Sequence, residues 1–151
     1  MLCMNSYPQD YVDQCRSRID QQLVAYRRLA AAAEAKSDEK LGAAAAAFEP
    51  LFFNSLVLVL DSYFVHRSRT IEGKDGNPLN EVRVLCTSML LHGDIVTVEK
   101  AIKLEPDTSV LGMRAGDRVS LSEAAFVGLS KAYFDEIERK FVQPAAARPV
   151  V

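Results

Sequence analysis

Nine polar residues between Asp61 and His92 could do chemistry: Asp61, His66, Arg67, Arg69, Lys74, Asn80, Glu81, Arg83 and His92. Two carboxylates and two histidines are types that move protons in water near neutral pH. Arginines and a lysine in the same stretch are types that hold a phosphate or a carboxylate, arginine through two parallel bonds. If one helix runs on through Arg69, steps of seven, four and three bring Ser55, Ser62, His66 and Arg69 close to one face. Asp61 then sits about 100° around from Ser62.

The next stretch, Glu72-Gly-Lys-Asp-Gly-Asn-Pro78, carries two glycines and an Asp-Gly step, so it reads as a turn. Asn77 caps the following helix and Pro78 starts it. Antiparallel pairing about a turn centred near Asp75 and Gly76 sets Arg69 beside Val82, within a turn of Glu81. It also sets Asp61 beside Leu90, within reach of His92. Two cross-helix pairs are expected, Arg69–Glu81 and Asp61–His92. Asp61 lies in apolar sequence, and an unpaired buried charge costs several kcal/mol, so a structural ion pair weighs more than an active site. Cys86 and Ser62 are the nucleophiles at hand, and neither has a base at fixed spacing. The basic cluster Arg67, Arg69, Lys74 and Arg83 is diluted by Glu72, Asp75 and Glu81, which favours a solvated charged surface over an anion site.

Motifs for metals and cofactors are missing. No Gly-rich phosphate loop, HExxH, EF-hand spacing or GxSxG occurs. Glu-x-x-His is missing too, because Tyr63 stands three before His66 and Met89 three before His92. Asp75-Gly76-Asn77 has the look of a calcium loop without its flanking carboxylates, and reads as a turn. The expectation is no metal, no cofactor and no assigned catalytic residue.

The elements that must position these residues are helices. Ser6-Tyr-Pro-Gln9 suits a capping box with Pro8 near the start. Val12, Cys15, Ile19, Gln22, Tyr26, Leu29 and Ala33 then recur by three and four, a helical seam broken only at Gln22. Ser37 is placed to cap a second helix through the alanine tract 43–47. Pro50 predicts a kink near Phe48 or a break. From Leu51 to Leu60 every face is apolar, so this helix is expected to be the most buried. A third helix runs from Pro78 to a Gly93 stop. Between residues 94 and 121, Ala101–Leu104 and Arg118–Leu121 suit a small two-stranded ribbon, with an irregular loop as the even alternative. Ser120-Leu-Ser-Glu123 reads as a capping box for the last helix, whose apolar stripe is Phe126, Leu129, Tyr133, Ile137 and Phe141, widened by Phe134.

The totals set the frame. The chain has 151 residues, enough for one domain with its own core, expected over 1–143 with a disordered tail at 144–151. A formal charge of -2 argues against a protein whose work is coating nucleic acid. Three separated cysteines suit reduced thiols in the cytoplasm, and the N-terminus lacks a signal-peptide pattern. The run from Leu51 meets Asp61 too early to span a membrane. The expected fold class is all-α, an up-and-down four-helix bundle with a small irregular or two-stranded β insertion before the last helix. The expected function is that of a non-enzymatic interaction or structural protein acting as a homodimer, because its wide apolar stripes exceed what four helices need. The alternative is a small enzyme, or a protein binding an anionic small molecule, with its site around His66, Arg69 and Glu81.

Overall fold

The computed structural model describes residues 3–144, and among these the chain is all-α, with five helices and no strand. They are α1 (Gln9–Ala35), α2 (Glu39–Ser62), the single turn α3 (Arg69–Glu72), α4 (Pro78–Leu91) and α5 (Glu123–Phe141). Beyond Pro144, the tail expected at 144–151 lies outside the described residues.

Caps explain most boundaries, and several differ from expectation by a residue or two. α1 starts behind Pro8 with no side-chain cap. Gln9 is not the far end of a capping box; its amide donates to Asp13 at 2.9 Å. Ser37 belongs to the end of α1, in the left-handed region at φ 51°. The α2 cap is Asp38, whose carboxylate accepts from the Leu41 amide at 2.9 Å. α4 begins and ends as expected: Asn77 accepts from the amides of Leu79 and Asn80, and Gly93 takes φ 58° just past the last turn. The cap of α5 is Ser122, not Ser120, accepting from Ala125 at 3.1 Å.

α2 runs unbroken through Pro50. The carbonyl that loses its partner belongs to Ala46, on an exposed stretch where water can satisfy it. α2 is not the most buried helix. Only Phe53, Leu56, Val57 and Leu60 of its 24 residues are buried, against eight of 14 in α4. Taken with its alanine tract, unlike the run from Leu51 alone, α2 is long and apolar enough by composition to cross a membrane; the four buried residues place its second half in the core.

Long-range bonds fix the directions. Tyr26 Oη donates to Glu49 and Tyr11 Oη to the Tyr63 carbonyl, so α1 and α2 are antiparallel. Arg27 pairs with Glu123 while the Tyr7 amide donates to Phe141, so α5 also runs against α1. Val57 faces Cys86, and Arg67 beyond α2 meets Leu79 at the start of α4. The α5 stripe is buried throughout, Phe134 included. On α1 Val12, Cys15, Ile19, Tyr26 and Ala33 of the expected seam are buried, while Leu23 is buried in place of exposed Gln22 and Leu29 is 58% exposed.

The insertion before α5 is irregular. The expected ribbon of 101–104 against 118–121 does not form. Arg118 bridges instead to Ile95, and Lys103 bridges to Asp75 in the turn before α4. Asn54 braces the return into α5, donating to the Val119 carbonyl and accepting from the Leu121 amide.

Candidate functional site: a closed polar cluster

α2 ends at Ser62 instead of running to Arg69. The chain then turns through residues 63–67, with Phe64 fully buried and the Arg67 amide bonded to the Phe64 carbonyl. That turn drives the Arg67 side chain into the protein, where its side-chain exposure is 0%. Its guanidinium donates to Asp61 at 2.8 Å, to Glu72 at 3.1 Å, to the carbonyls of Phe64 and Leu79, and to Tyr133 Oη at 3.2 Å. The Tyr133 ring also lies beneath it at 5.7 Å. Burial opposes the charge on Arg67, but Tyr133, Asp61 and Glu72 outweigh it and hold the guanidinium more basic than usual.

Glu72 is the hub. Its carboxylate is fully buried and accepts from three arginines: Arg67, Arg69 at 2.9 Å and Arg83 at 2.8 Å. Burial pushes its carboxyl up, and Arg83, Arg67 and Arg69 together bring it below the ordinary value. Lys140 and Asn77 donate to its backbone carbonyl at 2.7 and 2.8 Å, tying α5 and the α4 cap to the same point. Asn80, fully buried, accepts from Arg69 and donates to the carbonyls of Gly73 and Asp75.

The two expected cross-helix pairs are therefore replaced. Arg69 finds Glu72 and Asn80, not Glu81. Glu81 points away to the insertion, where its two oxygens accept from the amides of Val110 and Leu111, both at 2.9 Å. Burial raises its carboxyl above the usual range, with those two amides opposing. Asp61 finds Arg67, and Tyr133 at 3.5 Å, not His92. His92 caps the opposite end of α4 and is exposed. The register assumed a helix running to Arg69; because α2 stops at Ser62, Val57 lies against Cys86 instead of Asp94.

Of the nine residues, Asp61, Arg67, Arg69, Asn80 and Arg83 come together, whereas His66, Lys74, Glu81 and His92 do not join them. His66 is exposed and lines a separate cavity of about 420 Å³ with Tyr7, Tyr11 and Tyr63. Lys74 is exposed, and its backbone carbonyl accepts from Lys103. Glu72, Asn77 and Tyr133 complete the cluster, though sequence spacing assigned Glu72 only to dilution of charge. The signal available was that Glu72 follows Arg69 by three positions, the spacing of an ion pair on one helical turn.

Chemically the cluster is closed. Ser62 Oγ is spent on the Val59 carbonyl of its own helix. Cys86 is buried beside Val57, and that burial pushes its thiol far from the reactive thiolate. Asn80 and Glu81 are sealed from solvent, so they share no open cleft with His66 and Arg69. Among the described residues no group of three His, Cys, Asp or Glu side chains is placed to hold a metal ion. No protein-family model matches the chain, and no curated protein or solved structure matches it either.

Proposed function

We propose that this chain is a non-enzymatic interaction protein acting as a homodimer, its four long helices forming an up-and-down bundle that serves as the scaffold. The observation that carries this is a contrast. Among the described residues the dense polar cluster is closed off at its hub, with Arg67 and Glu72 at 0% side-chain exposure and Arg67 Nε the one buried side-chain polar atom left without a partner. Meanwhile 20 of the 24 residues of the most apolar helix, α2, lie outside the buried core. Charged groups locked to one another have little left to give a substrate, whereas exposed apolar helix is what a partner covers. A cytoplasmic location belongs to the same reading, supported by three free thiols, two of them buried. Light scattering across a concentration series tests it. The expected mass is twice the 16.7 kDa of one chain; one chain at every concentration would contradict it.

A second reading, an anion site, is favoured by one observation. Three arginines face two carboxylates in the cluster, and Arg69 and Arg83 carry the surplus charge to the surface at 45% and 25% side-chain exposure. Inorganic phosphate should then raise the melting temperature of the native chain and not that of Arg69→Ala. Equal response in both would remove this reading.

A further inference from the structure

The end of α1 and the start of α2 form a hairpin that stands beyond the rest of the fold. α5 begins at Glu123, level with Arg27 of α1. The chain entering α5 meets α2 at Asn54. α4, read from the Val57–Cys86 contact, gives out at Leu91 near the level of Phe52. Past these marks the cross-section thins from four helices to two.

Residues 28–51 make up this projection, and of these 24 only Ala33 is buried. Leu29, Leu41, Phe48 and Leu51 are 58%, 40%, 40% and 67% exposed. An apolar groove of about 200 Å³ runs between the arms, lined by Leu29, Ala33, Leu41, Ala44 and Phe48. Each arm is no longer than the ~12–15 residues at which a lone helix is marginal in water. Two such arms, with Leu29, Leu41 and Phe48 partly exposed along the groove between them, gain most from being covered.

The charges say by what. Three cations (Arg28, Lys36, Lys40) and four carboxylates (Glu34, Asp38, Glu39, Glu49) are interspersed along the hairpin. A nucleic acid or an anionic bilayer would need a basic excess, and there is none. Mixed signs around this apolar groove suit a copy of itself, because a two-fold axis opposes no block of like charge.

We infer that residues 28–51 dock on the same residues of a second copy, the two hairpins together restoring a four-helix cross-section between the two bodies. This rests on the homodimer reading and names its surface. The test is analytical ultracentrifugation of the full chain beside Leu29→Lys/Leu51→Lys, Leu41→Glu and, as a control outside the hairpin, Leu91→Lys, which alters a residue 74% exposed. Far-UV circular dichroism confirms that each is folded. The expected result is a dimer for wild type and Leu91→Lys, and an about twofold lower mass for both hairpin variants. Dimeric hairpin variants would overturn the inference and leave the homodimer standing. A monomeric wild type would overturn both, and if it floated with phosphatidylcholine vesicles the covering surface would be a bilayer. A measurement independent of substitution uses an equal mixture of isotope-labelled and unlabelled wild type treated with an amine crosslinker. Mixed-label peptides joining Lys36 and Lys40 are expected, and mixed-label links confined to other lysines would overturn the inference.

Discussion

Arg67 and Glu72 meet at 3.1 Å with neither side chain exposed to solvent at all. Five residues apart, they close the turn that follows α2 and anchor it beneath the start of α4. A pair this buried adds little net stability compared with well-packed apolar groups of the same volume, because both ions leave water. What it does is forbid alternatives. Any conformation that separates the two leaves Arg67 with Asp61 alone and Glu72 with only Arg69 and Arg83, so the route of residues 61–83 is fixed by electrostatics as well as by packing.

Truncating the hub should therefore cost far more than truncating its rim. Glu72→Ala leaves buried Arg67 with Asp61 as its one carboxylate, takes the carboxylate from Arg69 and Arg83 as well, and is expected to lower stability by about 3–5 kcal/mol in urea unfolding. Arg69, 45% exposed, contributes a partly solvated bond to the same carboxylate, so Arg69→Ala should cost no more than about 1 kcal/mol. Equal losses would contradict the cluster as drawn.

Acid should act on Glu72 and Glu81 in opposite directions. The Glu72 carboxyl is held below the ordinary glutamate value of 4.5, so the stability it contributes is present above that pH and lost as pH falls through the lower folded value. The Glu81 carboxyl is raised above 4.5, so its contribution is present below that pH and lost as pH rises through the higher folded value. Urea melts of wild type, Glu72→Gln and Glu81→Gln between about pH 3.5 and 7 separate the two. With rising pH, the advantage of wild type over Glu72→Gln should grow and that over Glu81→Gln should shrink. The same sign for both would contradict these assignments.

Two glycines should answer alanine differently. A Cβ on Gly76 would lie 2.7 Å from the Lys103 carbonyl oxygen, against backbone that is bridged to the same turn. Gly76→Ala is expected to destabilise the chain, reported by a lower melting temperature. Gly128, exposed on α5, has nothing within 4 Å of an added Cβ. There alanine should stabilise by about 0.5–1 kcal/mol, since glycine in a helix interior loses more backbone freedom.

Where local chemistry decides, the sequence was legible. Asn77, Pro78 and Gly93 mark both ends of α4, and the stripe from Phe126 to Phe141 names the buried face of α5. The end of α2 was not legible, because Tyr63, Phe64 and Val65 continue its apolar character with no glycine or proline to stop it. The stop comes from Arg67, whose burial depends on Asp61, Glu72 and Tyr133, the last 66 positions away. Once that stop is missed, the register against α4 and both cross-helix pairs go with it. The exposure of the first half of α2 was hidden for a similar reason: apolar composition says that a surface is to be covered, not by which chain.

Hydrogen exchange on the hairpin tests the central claim most directly. Followed over the concentrations at which the sedimenting mass passes from one chain to two, amides of residues 39–49 should become slower to exchange while those in the second half of α4 stay the same. Hairpin amides whose exchange does not change across that transition would contradict the account.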